Sequence, residues 1–356
     1  MIKELKKRED FWKNKRVLIT GHTGFKGSWL ILILNLLKAK VIGFSLRPKK
    51  ISLFNQAKCS TLLLKNYYSD INNLKILKER IKSSKAQIVF HLAAQPLVSE
   101  SYEYPLKTFQ TNIIGTANLI EAVKVSKTVK TVIIVTSDKV YKVKNNYKSF
   151  SENDELGGID PYSASKASSE IIVKSLYESF FKNKKKIKIV TVRSGNVLGG
   201  GDYSKNRIIP DVLESLNKKK NLIIRNPYHI RPWQHVIEPL DGYLILAEKL
   251  FENKILKNYQ SWNFGPKNNS FINVYKLLIK INKIQKFKKI IFKKNNFKET
   301  ATLKLNSRKS TKYLKWKQKW DIDTTINKIL DWNNDFNKRK NIRKTCENQI
   351  KSYLGS

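Results

Sequence analysis

Short apolar runs rich in β-branched residues alternate with longer segments of helical periodicity along the first half of the chain. The runs predicted as buried strands are 16–20, 40–46, 87–94, 131–136 and 188–192. Helical patterns lie between them, most clearly at 112–125 and 161–181. Strands that alternate with helices are typical of the α/β class, and predict a Rossmann-type, doubly wound parallel sheet.

The alternation weakens after about residue 195, where glycine and proline residues mark loops. Short apolar runs at 233–236 and 262–264 are predicted as strands. We therefore expect a main domain over 11–194, to which a segment near 236–264 returns. A smaller C-terminal α/β domain is expected over 195–335, followed by a basic tail at 336–356.

Composition indicates a folded chain with a sizeable core. Of the 356 residues 41% are apolar, and two cysteines are too few for a disulfide framework or a Cys-rich zinc module. The longest apolar run, 29–37, is far shorter than the about 20 residues that span a bilayer. The amino terminus is charged and lacks the apolar stretch of a signal peptide. We expect a soluble, cytoplasmic protein without membrane insertion.

The charge balance is strongly positive, at +42 with 70 Lys and Arg against 28 Asp and Glu. Such a balance raises nucleic acid as a partner. The lysines lie among Asn and Ile residues, however, without the Arg, Gly and aromatic pattern of a nucleic-acid groove. We interpret them as solvated surface lysines whose field attracts anionic small molecules, and we expect no nucleic-acid partner.

Three glycines, Gly21, Gly24 and Gly27, follow the first predicted strand, and an apolar helical pattern begins at Ser28. Glycines between a strand and a helix let the backbone approach a pyrophosphate at the helix amino terminus, where free N–H groups favour negative charge. A plain strand-to-helix turn needs one glycine rather than three. The motif therefore predicts a dinucleotide site in the main domain.

The end of the second predicted strand, Gly43-Phe-Ser-Leu-Arg47, carries no acidic residue. An acid at this position is the usual partner of the ribose 2′-hydroxyl of NAD, whereas a nearby Arg accommodates a 2′-phosphate. Arg47 is open to both interpretations, a phosphate ligand or one more surface base. The strand end alone leaves the choice between NAD and NADP open.

Tyr162 and Lys166 lie four residues apart at the start of a predicted helix, and so share one of its faces. An ammonium group near a phenol favours the phenolate, which then removes a hydroxyl proton near neutral pH. Ser137 directly follows the strand 131–136 and is placed to hydrogen-bond the same substrate hydroxyl. This setting favours catalysis over chance spacing.

The four histidines are scattered along the chain and show no metal-ligand spacing. They are His22, His91, His229 and His235. We interpret them as packing residues and expect no metal site.

Together these motifs resemble the extended short-chain dehydrogenase/reductase family, which His91-Leu-Ala-Ala94 and Asn112 also match. Within that family the chain is similar to the CDP-glucose 4,6-dehydratases over about residues 11–335. The segments that carry this likeness are 20–30, 52–54, 91–98, 136–139 and 231–235.

The resemblance implies a lyase that converts CDP-glucose to CDP-4-dehydro-6-deoxyglucose with a tightly bound NAD. Oxidation at C4 makes the C5 proton acidic, water is then lost across C5 and C6, and the hydride returns to C6. Net redox is zero, so the cofactor stays in place. The resemblance also implies a homodimer or homotetramer.

The same resemblance implies catalytic functions for Ser137, Asp138, Lys139, Tyr162 and Lys166. Asp138 is expected to protonate the C6 oxygen, for which a raised pKa is useful. Lys139 stands where the related dTDP-glucose dehydratases have a Glu as the C5 base. We expect it to be either that base or a stabiliser of the enolate.

Two further sets of contacts follow from the resemblance. Asn196, Arg207 and Arg231, in the smaller domain, are expected at the pyrophosphate of the nucleotide sugar, where Arg forms bidentate contacts. The residues expected at NAD are Gly21, Thr23, Gly24, Phe25, Lys26, Gly27, Asp70, Ile71, Ala93, Ala94, Gln95, Asn112, Tyr162 and Lys166.

Three other functions compete with this one. A UDP-N-acetylglucosamine 4,6-dehydratase also has Lys after the acid, but such enzymes usually lack the tyrosine kept here as Tyr162. A nucleotide-sugar 4-epimerase, acting on a UDP- or dTDP-sugar, needs no Asp at position 138. A catalytically inactive, basic nucleic-acid-binding protein of the same fold needs neither Tyr162 nor Asp138.

Overall fold

The computed structural model describes residues 2–143, 149–182, 187–255, 259–267, 270–293 and 302–355. Its strands are β1 (Arg16–Thr20), β2 (Lys40–Ser45), β3 (Leu63–Tyr68), β4 (Ile88–His91), β5 (Thr131–Val135), β6 (Lys188–Ser194), β7 (Val197–Leu198), β8 (Leu222–Ile224), β9 (Ile230–Pro232), β10 (Gln234–His235), β11 (Gln260–Phe264), β12 (Phe271–Asn273) and β13 (Ile290–Phe292). Its α-helices are α1 (Ile2–Trp12), α2 (Phe25–Leu36), α3 (Leu53–Gln56), α4 (Leu74–Ser84), α5 (Val98–Glu103), α6 (Pro105–Phe109), α7 (Gly115–Lys124), α8 (Pro161–Phe180), α9 (Ile208–Lys218), α10 (Ile237–Phe251), α11 (Val274–Ile284), α12 (Ile322–Asn337) and α13 (Ile342–Leu354).

Seven strands form a parallel sheet in the order β11-β6-β5-β4-β1-β2-β3, and helices cover both of its faces. Side chains alternate across a strand, so Val17 and Ile19 of β1 pack with α2 and α10 on one face. Leu18 packs with α4, α7 and α8 on the other face. The predicted doubly wound parallel sheet is confirmed.

Two strands of this sheet complete it at its edges. β3 pairs with β2, although half-buried and exposed residues dominate it, so it lacks the apolar run of the central strands. At the opposite edge β11 pairs in parallel with β6, with Trp262 beside Val192. The chain reaches β11 through α10, which packs on the sheet next to α2.

A second, smaller layer lies outside the main sheet. It holds the two-stranded pairs β7–β10, β9–β12 and β8–β13. Helices α9, α11 and α12 supply its apolar core, which includes Val212, Leu277 and Ile326. The chain enters it directly from β6, through Gly195 and Asn196 into β7. Residues at this crossover are therefore shared between the sheet edge and the smaller layer.

Within the basic segment 336–356, expected as a tail, helix α13 folds against the main core instead. Asn341 caps α13 by accepting the Lys344 N–H at 3.2 Å. The buried face of the helix carries Cys346, Ile350 and Tyr353, which pack in the cluster that includes α2. These three residues are spaced by four and three positions, so they lie on one face of the helix and pack it against the sheet layer. Lysines between them obscure this apolar pattern in the sequence.

Both cysteines of the chain are buried in this region. Cys346 Sγ accepts a hydrogen bond from Trp332 Nε1 at 3.3 Å. Burial raises the pKa of the Cys59 thiol to about 12 and raises that of Cys346 as well. Neither thiol is therefore a reactive thiolate near neutral pH.

Replacement of Ile350 by Ala should lower the free energy of unfolding by about 2–5 kcal/mol, because it leaves a cavity in a fully packed core. Urea unfolding measures the change. The matched control is Lys351→Ala, on the exposed face of the same helix, which should shift stability by less than about 0.5 kcal/mol. Equal, small effects of the two substitutions would contradict the packing of α13.

Among the described residues, no helix combines the length and the apolar character needed to cross a bilayer.

Candidate active site

A cleft of about 920 Å³ opens at the carboxyl ends of the parallel strands. The turns that follow β1, β2, β3, β4 and β5 line it on one side, and loops of the smaller layer line it on the other. Ligands of open α/β sheets bind at this position, where connections leave the strand ends in opposite directions. The cleft is thus the candidate site.

The β1–α2 turn forms a cradle that only glycine fits. Gly21 has a φ of +74°, and a Cβ there would lie 2.5 Å from the backbone nitrogen of Ala93. A Cβ on Gly27 would lie 2.4 Å from the carbonyl oxygen of Gly21. Gly24 precedes α2 without a side-chain cap, so the N–H groups of the first turn remain for a ligand. These residues fit the pyrophosphate of a dinucleotide.

Residues that follow the neighbouring strands line the part of the cleft beside the cradle, where the rest of a dinucleotide would lie. Asp70 and Ile71 follow β3 and line the cleft, as do Ala93, Ala94 and Gln95 after β4. At the end of β2 the Arg47 guanidinium lies 5.0 Å from the ring centre of Tyr68. The end of β2 therefore presents a cation stacked on an aromatic ring rather than a carboxylate.

Asn112 differs from the expectation of a direct contact, because it lies behind the cleft wall. Its amide nitrogen donates to Gln95 O at 3.1 Å and to Ser165 Oγ at 2.8 Å. Its side-chain oxygen accepts the Gln95 N–H at 2.8 Å. These bonds occupy the amide, so Asn112 holds Gln95 in the wall and ties it to α8.

Tyr162 and Lys166 enter the cleft from the first turns of α8. Asp160 caps this helix by accepting the Ser163 N–H at 2.9 Å, and Pro161 is its first residue. Lys166 Nζ donates to Val135 O, at the end of β5, at 3.3 Å. Burial lowers the pKa of Lys166 to about 8 and raises that of Tyr162, although a Ser137 hydrogen bond opposes the latter rise.

Asp138 follows Ser137 in a short 3₁₀ turn after β5 and is fully buried in the cleft wall. Its Oδ1 accepts a hydrogen bond from Ser137 Oγ at 3.1 Å. Its Oδ2 has no hydrogen-bond partner among the described residues. Burial raises the pKa of Asp138, while Lys139, the Ser137 hydrogen bond and Arg231 lower it. A buried acid with one free oxygen is suited to donate a proton to a ligand.

Lys26 reaches the catalytic side of the cleft, although its backbone belongs to the glycine cradle. Its Nζ donates to Ser194 Oγ at 2.9 Å, and Tyr243 Oη donates to the same oxygen at 2.9 Å. Burial, followed by the charges of Arg207 and Lys166, lowers the pKa of Lys26 to about 7. The charged end of its side chain therefore lies next to Asp138, whereas its backbone lies in the cradle that fits a pyrophosphate.

The three residues expected at the substrate line the far side of the same cleft. Arg207 precedes α9 and pairs with Asp202 at 3.0 Å. Arg231 is buried in β9, and its Nη2 lies 3.0 Å from His229 Nδ1. Asn196 lies in the β6–β7 crossover. The charge of Arg231 acts on Asp138, so the cationic wall and the acid share one space.

Glu170 is a supporting residue that the sequence analysis missed. It lies one turn beyond Lys166 on α8, and accepts hydrogen bonds from Thr136 Oγ1 at 2.6 Å and from Arg193 Nε at 2.8 Å. Its charge opposes the fall in the pKa of Lys166. The signal was the four-residue spacing, which continues from Tyr162 through Lys166 to Glu170.

Two histidines that the sequence analysis left as packing residues are engaged inside the main domain. His91 bonds Thr20 Oγ1 at 2.7 Å and Thr116 Oγ1 at 3.0 Å. His22 Nε2 lies 2.8 Å from Asn66 Oδ1. Among the described residues, no cluster of His, Cys, Asp and Glu has the arrangement of a metal site.

The parallel sheet, the glycine cradle and the Tyr–Lys pair define the class of extended short-chain dehydrogenases/reductases. More narrowly, the chain belongs to the GDP-mannose 4,6 dehydratase family, whose model matches residues 18–329. It is 38% identical to the CDP-glucose 4,6-dehydratase of Salmonella typhimurium over 98% of each chain. The resemblance drawn from the sequence motifs is thereby confirmed.

Solved structures support the same fold. A dTDP-glucose 4,6-dehydratase from Bacillus anthracis in complex with NAD superposes with a TM-score of 0.77 at 21% identity, covering 93% of this chain and 99% of its own. A UDP-glucose-4-epimerase from Stenotrophomonas maltophila with bound NAD gives 0.79 at 17% identity, covering 92% and 100%. Dehydratases and epimerases share this architecture, so the fold does not distinguish the two activities. The distinction has to come from the residues of the site.

Proposed function

We propose that the protein dehydrates CDP-glucose to CDP-4-dehydro-6-deoxyglucose with a bound NAD that is regenerated in each turnover. The observation that carries this proposal is the Asp138 carboxyl, buried beside Tyr162 with its Oδ2 free. An epimerase needs no acid at this place. The 38% identity to a CDP-glucose 4,6-dehydratase over 98% of the chain supports the same reaction.

The glycine cradle and the walls after β3 and β4 would hold NAD, which would supply the hydride-transfer chemistry between C4 and C6. Tyr162 Oη, as the phenolate, takes the proton of the C4 hydroxyl. Lys166 lies one helical turn away, and its positive charge stabilises negative charge on the ligand and the phenolate. Ser137 lies at the end of β5 within reach of the same hydroxyl.

Elimination then depends on Asp138 and its neighbour. Once C4 is a ketone, the C5 proton is acidic and a base removes it. Asp138 protonates the leaving C6 hydroxyl, since burial keeps this carboxyl in its neutral form over a wider pH range. We assign the proton transfer at C5 to Lys139, the next residue in the same turn.

The smaller layer would bind the nucleotide part of the substrate, with the boundary of its domain near residue 195. Asn196, Arg207 and Arg231 face the cleft from this layer. Arg side chains bind pyrophosphate through bidentate hydrogen bonds. The charge of Arg231 lowers the pKa of Asp138, so a pyrophosphate held by Arg231 would lie on the same side of the cleft as the acid.

Product formation from CDP-, dTDP- and UDP-glucose, each supplied with NAD, tests this function. CDP-glucose carrying deuterium at C4 should give a 4-keto product with the label on the new C6 methyl group, and no reduced cofactor should accumulate. Label lost to solvent, or a C4 epimer as product, would contradict the proposal. Faster turnover of dTDP- or UDP-glucose would contradict the choice of nucleotide.

We also propose that the chain forms a homodimer through the outer surface of α6, α7 and α8. Large apolar side chains are exposed there: Leu106 of α6, Ile114 directly before α7 and Ile171 of α8, at 79%, 51% and 58%. Exposed apolar side chains on adjoining helices are typical of a protein interface. A homotetramer would then consist of two such dimers.

Replacement of Ile171 by Glu should therefore reduce the molar mass measured by light scattering to that of one chain, because it places a charge in an apolar interface. The control is Phe292→Glu, which alters a similarly exposed apolar residue in β13, away from these helices. A wild-type protein that scatters as a monomer would contradict the dimer.

A further inference from the structure

The end of β2, where a dinucleotide places its adenosine ribose, carries cations and no acid. Residues 44–49 line the cleft there, and Arg47 and Lys49 are the charged residues among them. In sheets of this kind an acid at this position holds the ribose 2′-hydroxyl, whereas an Arg accommodates a 2′-phosphate. The steps of the proposed reaction take place at the other end of the dinucleotide and make no use of Arg47.

An aromatic platform holds the Arg47 guanidinium in place. The guanidinium lies 5.0 Å from the ring centre of Tyr68, the last residue of β3. Asn66 Nδ2 donates to Tyr68 Oη at 2.9 Å, and the His22 ring stacks with the Tyr68 ring at 6.3 Å between centroids. A cation over a fixed ring is already oriented, so it loses less conformational entropy when it binds a ligand.

The hydrogen-bond donors of Arg47 are available to a ligand. Within the part of the chain that the structure describes, its guanidinium takes part in no hydrogen bond and no ion pair. Asp70 also lines the cleft, but it follows β3, one strand further from the glycine cradle, and its Oδ1 accepts the Asn72 N–H at 2.8 Å. None of residues 44–49 is acidic, so no carboxylate of this strand end competes with a phosphate for the guanidinium.

We propose that Arg47 binds the 2′-phosphate of NADP, so that the site accepts NADP at least as well as NAD. The planar fork of the guanidinium donates two parallel N–H bonds to a phosphate, and the exposed Lys49 adds positive charge at the same strand end. A reaction that returns its hydride within each turnover consumes neither cofactor, so both would support it. This inference rests on the proposed function for the dinucleotide site that the two cofactors share.

Isothermal titration of the full chain, freed of bound nucleotide, with NAD+ and with NADP+ tests this contact without any turnover. We expect the Kd of NADP+ to be equal to or lower than that of NAD+. In Arg47→Asp the ratio of the two Kd values, NADP+ over NAD+, should rise by about 10²-fold, because repulsion replaces a bidentate ion pair. Arg47→Lys keeps the charge without the fork, so the ratio should rise by about 10-fold or less. A general loss of structure would weaken the binding of both cofactors and leave the ratio unchanged.

The matched control is Arg80→Asp, on α4 outside the cleft lining, where the guanidinium lies 4.8 Å from the ring centre of Tyr67. It makes the same change in net charge, so it measures how far the overall positive field attracts the more anionic cofactor. It should leave the ratio of the two Kd values near that of the wild type.

An equal rise of the ratio in Arg80→Asp and Arg47→Asp would overturn the assignment of Arg47. A wild type that binds NADP+ more than about 10-fold more weakly than NAD+ would overturn it as well. Binding of both cofactors without dehydration of any nucleotide sugar would instead overturn the proposed function and leave the Arg47 contact in place.

Discussion

Asp138→Asn should stop the loss of water while oxidation at C4 continues. The amide keeps the size of the carboxyl but has no acidic proton to give to the C6 oxygen, so dehydration should fall by about 10³-fold. The Tyr162–Lys166 pair on α8 is untouched. Rapid quenching should therefore recover up to one 4-keto hexose per active site that still carries its C6 hydroxyl.

The matched control is Asp211→Asn, which neutralises another cleft carboxylate, on α9, whose pKa burial raises to about 6. That variant should retain both steps. If C4 oxidation and dehydration fall together in Asp138→Asn, Asp138 is not the acid at C6, and the distinction from an epimerase loses its main support.

Tyr162→Phe should abolish the first step, with a loss of about 10³-fold or more in kcat/KM and an almost unchanged affinity for the nucleotide sugar. The phenyl ring retains the packing but has no oxygen to take the C4 proton. Isothermal titration and initial rates measure the two quantities. Tyr203→Phe, at the cleft rim where the phenol contacts Gln56, is the control and should stay near the wild-type rate.

The pH profile of the wild-type enzyme follows from the same pair. Burial raises the pKa of both Tyr162 and Asp138, so the phenol and the carboxylate prevail between the two values. The active form has the phenolate and the neutral acid, which together bind the same number of protons. The ratio of the two forms is therefore independent of pH, and kcat/KM should show a plateau between the two pKa values. On the acidic side kcat/KM falls because Asp138 is protonated while Tyr162 is still a phenol. On the alkaline side it falls because both groups have lost their protons. A steep slope through neutral pH would contradict this pairing.

Local chemistry explains what the sequence could predict. Central strands such as β1 and β5 are buried on both faces, so they appear as continuous apolar runs. The edge strand β3 escaped prediction because exposed Lys65 and half-buried Asn66 interrupt it. Helix α13 was expected only as a basic tail, because its apolar face is recognised only from its packing against α2. An element that is buried on one side has a weaker apolar pattern in the sequence than a strand that is buried on both faces.

The site divides in the same way. The glycine cradle and the Tyr162–Lys166 spacing are properties of contiguous sequence, and the structure brings them to one cleft. The direction of a side chain is a tertiary property, which is why Asn112 lies behind the wall and Lys26 reaches Ser194. The approach of Ser137 and Asp138 to Tyr162 likewise depends on the packing of α8 against the short turn after β5.

The enclosure of Cys59 and Cys346 has a practical use. Because maleimides react with exposed thiolates, the folded native chain should take up little label. A single cysteine introduced at the exposed Lys205, on the cleft loop, would then carry a fluorophore without removal of the native cysteines. Such a dye would report in real time when the nucleotide sugar enters and leaves the cleft.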